Sequence, residues 1–547
     1  MKKGYLGNWL ALEKKMLNIK TNGKSLIELT AYRGIALWWF VRFRLVQARF
    51  GLVEPSQLVK SLTKSTYFIS FADFLYDFVT SILCRAFSTY SRVETGKKRK
   101  LKVLVTAQNV QWKNLLDLNG RLKKGDAFFD PIIAELRKRD YDIVTVYPLN
   151  YSFSGLKTII DKFKKQKGVT HKAFNIYWSM KIWKKAFDAR RYFKKVWSEI
   201  FRKDVRIVHF LERYGLENEI KYCFTCVFER VIKRIEMANK LIEQEKPDLI
   251  LLINEYGVFE RALVVVGKLK GIPTLAVQHG NIGPLHMGYM YSKDSISVSG
   301  SARTPYCPIP EKTAVYGQYY YDLLTKMSAY PPSSVVVTGQ PRYDTLVMAD
   351  RGFRREKFCA RLGLLPDRKI VLVATQPWSM PIRKAFLRSV LTALKCFPEV
   401  QAIIKPHPRE KEGLYKKVVE KENAEVAILP SKSDTFEALH ACDLLVAGFS
   451  TVITEALILG KPAVTVGLAS EEPTPFYKGV TLRVNKDEDP TPAIRNALYD
   501  KKTREKFKKE RKKFVSRYAH KQDGRATERV INLIERMIKE RRLYGNE

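Results

Sequence analysis

The stretch DLLVAGFSTVITEALILGKPAVTV, residues 443–466, decides how the rest of the chain is read. It opens with a short apolar run over 443–447. Gly448 then permits a tight turn, and Ser450 and Thr451 stand where N-caps stand. The apolar spacing of 451–459 predicts a helix, Gly460-Lys461-Pro462 stops it, and Ala463–Val466 is a second apolar run. Strand, helix and strand in so few residues form a βαβ unit, which demands a parallel sheet.

Outward from this unit the same alternation recurs. KIVLVAT (369–375) and QAIIK (401–405) read as strands around a helix over 382–396, and 424–429 reads as a third strand before a helix over 434–442. Further upstream, strands are expected at 248–253, 274–278 and 335–338, with a helix over 259–269. LKVLVTA (101–107) starts the series, followed by a long loop, a helix over 131–138 and a strand over 141–146. The fold class is therefore α/β: two Rossmann-like, doubly wound parallel sheets facing a cleft and joined near 340–368. The expected organisation is a helical segment 1–98, a first sheet domain 99–340 with an insert at 151–206, a second sheet domain 341–502, and one long helix over about 503–541 within a basic tail, 503–547.

Charge divides the chain along the same lines. Among 547 residues, 97 are Lys or Arg and 56 are Asp or Glu, a net +41. Residues 1–100 carry +12, the insert +12 and residues 501–547 +10, so the body between them is nearly neutral. Such flanks call for an anionic partner. At 46% hydrophobic the chain is no disordered polymer, and seven scattered Cys make no disulfide framework. Residues 67–87 are long enough to span a bilayer, but Asp73 and Asp77 fall within them. Phe68, Phe71, Leu75, Phe78 and Ile82 fall instead on one helical stripe, suited to a helix lying on an anionic membrane surface beside Trp38, Trp39, Arg33, Arg42, Arg44 and Arg49. A core-facing helical layer is the alternative. No signal peptide is recognisable, and the expected location is cytoplasmic, peripheral on the inner face of the cell membrane. The insert interleaves Tyr177, Trp178, Trp183, Tyr192, Phe193 and Trp197 with lysines, the pattern of a solvated helix hairpin or of a nucleic-acid or membrane grip; no nucleic-acid-binding motif supports the second use.

In open α/β sheets ligands sit beyond the carboxyl ends of strands. Those ends carry His279-Gly280 after 274–278, Pro406-His407-Pro408-Arg409 after Lys405, and Gly448 to Thr451 with Glu455 one turn on. The turn and helix start suit a diphosphate, Glu455 a ribose, and His279 a general base across the cleft. Neither a G-x-G-x-x-G fingerprint nor a P-loop is present, and no G-x-S-x-G elbow. Cys223-x-x-Cys226 is a single pair, His286 and His440 lack metal-like neighbours, and Asp126 and Asp130 are loop acids within reach of an acceptor.

The strings IPTLAVQHG, VVVTGQPRYDTL, AIIKPHP, GFSTVITEALILGKPAVTV and DGRATERVINLI, in this order over roughly 245–530, resemble the GT-B superfamily of nucleotide-sugar glycosyltransferases. Within it they are similar to CDP-glycerol glycerophosphotransferases and UDP-N-acetylglucosamine 2-epimerases. The resemblance implies a catalytic base at His279, a phosphate-contacting histidine at His407, a pyrophosphate cradle at Ser450 and Thr451, and a ribose carboxylate at Glu455. Lys405, Gly448 and Arg342 complete the expected donor site. Where the epimerase pattern has two glycines and two glutamates, this chain has Ser450-Thr451 and Thr454-Glu455. The expected activity is transfer of a sugar from a nucleotide-diphosphate donor to a membrane-associated glycan or lipid-linked acceptor. The alternatives are polyol-phosphate transfer from a CDP-linked donor, 2-epimerisation, or, outside enzymes, nucleic-acid binding. No cofactor is implied beyond the nucleotide co-substrate, and no metal.

Overall fold

A computed structural model describes residues 3–49, 66–88, 100–107, 112–117, 121–149, 160–161, 166, 168–296, 306–349, 352–408, 410, 413–448, 450, 452–467 with Thr451, and 477–544. Two all-parallel sheets dominate it. The first has seven strands in the order Val335–Val337, Lys312–Val315, Thr274–Val277, Leu249–Leu252, Lys102–Thr106, Asp142–Tyr147 and Thr170–Ala173. The second has six, in the order Val426–Ile428, Val400–Lys405, Lys369–Ala374, Leu444–Ala447, Ala463–Val466 and Leu482–Val484. In each, the first strand in sequence sits inside the sheet and the order reverses beside it, as doubly wound topology requires. Both faces of these strands are covered, so they are apolar without alternation: Leu249 to Leu252 and Ile370 to Val373 are wholly buried.

The tail departs from the expected single helix. Lys501–Ala519 and Ala526–Tyr544 are separate helices, broken where His520 and Gly524 take positive φ of 60° and 70°. Asp344 caps the second, accepting from the Ala526 and Thr527 amides at 3.0 and 2.7 Å. Val530, Ile531, Ile534, Met537 and Ile538 then pack on Val103, Val105, Leu249 and Leu251 of the first sheet. The chain thus ends on the half where it began, and a helix read as basic is half core.

The expected loop after the first strand also proves structured. Trp112–Leu116 and Leu122–Asp126 form an antiparallel hairpin pairing Lys113 with Gly125. Its run of lysines and polar residues gave no clean period-two pattern, so strand propensity alone did not reveal it.

The N-terminal expectations divide. Trp38, Trp39 and Arg42 are each only 1% exposed. The Arg42 Nε donates to Glu13 at 2.7 Å, and its other nitrogens donate to the Met287 and Met290 carbonyls. These residues bury against the body and correct the expectation that they face lipid; a buried guanidinium persists because each donor finds an acceptor. The helix Thr66–Ser88 behaves oppositely. Asp73 pairs with Arg230, at 3.1 Å between Nη2 and Oδ1, and Asp77 with Lys233. The polar face is therefore turned inward, leaving Phe71 58% and Ile82 51% exposed, with Leu75, Phe78 and Val79 also outside. Phe68's side chain and residues 97–99, around the expected junction of the helical segment with the first sheet domain, lie outside the described set. No helix among the described residues is long and apolar enough to cross a membrane. In the insert, Tyr177, Trp178, Phe193 and Trp197 are buried in the main core while Tyr192 is exposed. These four, with Trp183 packed against them, are the inner face of a helical layer, which corrects their reading as a grip for a partner.

Candidate active site

The second sheet brings three strand ends level. Ala374 pairs with Lys405 on one side and with Ala447 on the other. At ~4.8 Å per strand, His407 and Gly448 emerge about 10 Å apart, flanking Thr375. This is the point where strand order reverses. A Cβ on Gly448 would lie 2.3 Å from two ring carbons of Trp378 and 2.9 Å from Gln376 Oε1. Only glycine lets that indole lie against the turn. Ser450 caps the helix Thr451–Ile458 as expected, its Oγ accepting from the Val452 amide at 3.3 Å.

His407 is set by a buried carboxylate that the sequence did not flag. Glu410 accepts from the His407 amide at 2.8 Å, from Thr375 Oγ1 at 2.6 Å and from the Tyr415 hydroxyl at 2.6 Å, and pairs with Arg383 at 2.8 Å. Arg383 also donates to the Trp378 carbonyl at 2.7 Å. One acid thereby fixes both loops flanking the turn. Lys405 points elsewhere: its Nζ donates to the Pro406 and Ser431 carbonyls at 2.7 Å each, buried. The structure places it as a fastening between loops and does not bring its ammonium to the cleft with the others.

The first half meets this edge through hydroxyl and amide groups. Asn281, two residues past His279, donates to the Tyr477 hydroxyl at 2.9 Å and accepts from Tyr320 at 2.8 Å. Tyr477 in turn donates to the Ser450 carbonyl at 2.8 Å and lies 3.1 Å from Thr454 Oγ1. His279 and the helix start thus share one seam. The His279 ring lies between Phe128 and Tyr256, at centroid distances of 6.5 and 6.2 Å. Burial lowers its pKa below the ordinary imidazole value, opposed by a hydrogen bond with the Ile253 backbone. His286, packed on Tyr256 and Tyr289, is pushed down to about 4 by burial and by His279. Both rings are neutral at pH 7, the form a base needs.

A third group is electrostatic. Arg342 pairs with Asp434 and lies 3.9 Å over the Phe436 ring. Asp434 also accepts from the Leu116 amide of the hairpin at 2.6 Å. Burial raises the pKa of Glu455, against the pull of Arg342 and Lys113. Burial and Arg342 lower that of Lys113 to about 8, opposed by Asp434, Glu455 and Asp126. Asp126 itself caps the next turn through the Phe128 and Phe129 amides at 3.1 Å each.

The sequence model of the CDP-glycerol:poly(glycerophosphate) glycerophosphotransferase family matches residues 180–536, well over half of the chain. The chain belongs to that family. It is a transferase built on two Rossmann-like, parallel-sheet halves. Solved structures similar to it include a putative UDP-N-acetylglucosamine 2-epimerase from Listeria monocytogenes, 12% identical over 81% of this chain and 98% of that one, with a TM-score of 0.48. A UDP-GlcNAc 2-epimerase from Neisseria meningitidis is 12% identical over 80% and 100%, with a TM-score of 0.49. A glycosyltransferase from Rickettsia africae is 10% identical over 81% and 100%, with a TM-score of 0.45. No curated protein matches the chain.

In this glycerophosphotransferase-family chain, then, His279, Ser450, Thr451, Glu455 and Arg342 gather at the seam between halves, and His407 and Gly448 lie on the adjoining sheet edge. Asp130 accepts from Gln166 at 2.6 Å behind the hairpin, and His440 stacks on Phe353 at 5.3 Å in the second half. Cys223 and Cys226 are buried in a helical turn, the Cys223 thiol pushed well up by burial. Arg409 lies outside the described residues. The sequence reading placed Asn281 at the strand end without a role, and missed Lys113, Glu410, Asp434 and Tyr477. Asn281 had a signal, its place in the same post-strand turn as His279. The others had none, because they matter only through partners far away in the chain.

Proposed function

We propose that this enzyme transfers a polyol phosphate, glycerophosphate in the family's own case, from a CDP-linked donor to an acceptor hydroxyl. Family membership ranks this above transfer of a sugar from a nucleotide-diphosphate donor. The observation that carries the reading is the seam itself: a neutral imidazole on one half, joined within two residues to the helix start that faces it on the other. In the proposed reaction His279 takes the proton from the acceptor hydroxyl, whose oxygen forms a bond to the donor's distal phosphorus. The bridging P–O bond breaks and CMP departs with the electron pair. Ser450, Thr451 and the helix amides cradle the departing phosphate, with His407 beside them and Arg342 adding positive charge. Tyr256 and Phe128 keep water from the base.

The acceptor is proposed to lie at a membrane surface. The exposed Phe71, Leu75, Phe78, Val79 and Ile82 face supports this, since its acids are paired inward and its apolar side is left without cover among the described residues. Incubation with CDP-glycerol and an oligo(glycerophosphate) primer should release CMP only when primer is present, and His279→Ala should slow release by ~10²–10⁴. Turnover of UDP-sugars without CMP release from CDP-glycerol would favour the sugar-transferase reading, and an epimer formed from UDP-N-acetylglucosamine alone would overturn both. Co-sedimentation with anionic vesicles, lost in Phe71→Asp/Ile82→Asp, tests the attachment.

A further inference from the structure

The basic tail lines a groove that the transfer site does not use. Its helix Lys501–Ala519 carries ten Lys or Arg and two Glu. Lys501, Arg504, Lys508 and Arg511 recur at steps of three and four residues, so they stand along one face over ~15 Å. That face forms one side of a groove of about 590 Å³, and Lys461 with the turn at Gly460 forms the other. Two of these five cations are fastened. The Arg511 Nη1, which a Cβ on Gly460 would approach to 2.7 Å, donates to the Leu457 carbonyl at 3.1 Å. The Lys461 Nζ donates to the His440 carbonyl at 3.1 Å. The side chains of Lys501, Arg504 and Lys508 make no hydrogen bond or ion pair among the described residues. Glu505 is the one acid among the residues lining the groove. Like charges three and four residues apart weaken a helix, so an unanswered row of them calls for an anion from outside.

The shape and chemistry of the groove select the anion. A bilayer does not suit it: among the described residues no large apolar side chain of this helix is exposed, whereas a helix lying in a membrane surface buries an apolar face there. A nucleic acid would need rings on which to stack its bases, and the one ring lining the groove, Phe507, is itself half-buried. A single phosphate would answer one or two cations and leave the rest. A flexible chain with a negative charge in every repeat answers the row in succession. We infer that this groove binds the phosphodiester chain of the acceptor, a linear polyanion such as poly(glycerophosphate), between the Lys501 to Arg511 row and Lys461. The inference rests on the transfer reaction proposed above and concerns a part of the acceptor outside the seam. Leu457 lies in the last turn of the helix that Ser450 caps, so groove and helix start are ~10 Å apart along its axis. The groove therefore holds chain already made and not its reacting end, and longer acceptors bind more tightly.

The test is titration of the full chain, without donor, with oligo(glycerophosphate) of about two and about ten repeats at ~50 and ~200 mM salt. The wild type should bind the longer chain at least tenfold more tightly and lose affinity as salt rises, because each neutralised phosphate releases counterions. Lys501→Gln/Arg504→Gln/Lys508→Gln should weaken the longer chain at least tenfold and reduce the slope of log affinity against log salt by about two. Lys502→Gln/Lys506→Gln/Lys509→Gln, with the same charge loss on another face of the helix, should weaken it less than about threefold. All six side chains are exposed, so both variants should fold. Equal losses in the two variants overturn the inference, as does a single-stranded RNA of equal charge that binds as tightly as the polymer. Loss of anionic vesicles with the polymer retained, in the first variant, overturns it in favour of a lipid surface. A wild type that releases CMP onto primer yet binds both lengths equally overturns the groove alone. Length-dependent binding with no CMP released from CDP-glycerol overturns the proposed transfer alone.

Discussion

Removing one oxygen from Tyr477 should loosen the seam without disturbing its packing. The ring is buried, 5.7 Å from that of Phe514, and Tyr477→Phe leaves it in place. The lost hydroxyl serves the Asn281 amide at 2.9 Å, the Ser450 carbonyl at 2.8 Å and Thr454 Oγ1 at 3.1 Å. The Ser450 carbonyl keeps the Ile453 amide at 3.2 Å, so its loss is partial. The Asn281 amide and the Thr454 hydroxyl bear the cost, at ~1 kcal/mol each when a buried polar group loses its partner, or about 2 kcal/mol together. Because the bond spans two halves, the cost should appear as uncoupling. Urea unfolding should show the two halves melting closer together in the wild type than in Tyr477→Phe, with Trp378, the only tryptophan beyond residue 197, reporting the second half. A double-mutant cycle with Asn281→Ala isolates the bridge and should give a coupling of about 1 kcal/mol. Coupling within ~0.3 kcal/mol of zero, with Tyr477→Phe itself costing under ~0.5 kcal/mol, would refute the idea that this hydroxyl ties base and donor helix together.

Gly448→Ala should drive Trp378 off the turn, since the new methyl would sit 2.3 Å from its ring. The expected cost is ~1–3 kcal/mol of overpacking, seen as a red-shifted Trp378 emission and weaker nucleotide binding. Acid should destabilise the fold through His286. Its native pKa, about 4, lies below the unfolded value of 6.5, so the unfolded chain binds the extra proton between these limits. Stability is complete above pH 6.5 and falls by about 3 kcal/mol as pH drops to 4. His286→Phe should flatten that limb of a denaturation-versus-pH series, and an unchanged limb would count against the assignment. His279, also lowered by burial, should place the midpoint of the acid limb of turnover below pH 6.5. A limb centred above pH 6.5 would point to another base. Asp344→Asn should free the last helix at its start, measured as faster amide exchange over residues 526–530, because the cap's charge and both of its amide bonds act there.

The parallel sheets, their reversal of order and the strand ends carrying His279, His407 and Gly448 were legible in the sequence, because they rest on local causes. A doubly covered strand must be apolar throughout, a strand-to-helix turn must have glycine or a cap, and both leave marks within a few residues. The stripe of the Thr66–Ser88 helix was legible for the same reason. Its direction was not, since the stripe reads alike facing core or solvent, and only Arg230 and Lys233 on a distant helix turned Asp73 and Asp77 inward. Trp38, Trp39 and the insert's aromatics were misplaced by the same ambiguity. The seam belongs wholly to tertiary structure: Asn281 meets Tyr477 and Leu116 meets Asp434 across hundreds of residues. A buried charge or hydroxyl takes its meaning from the partner that answers it, and periodicity carries no record of who that partner is.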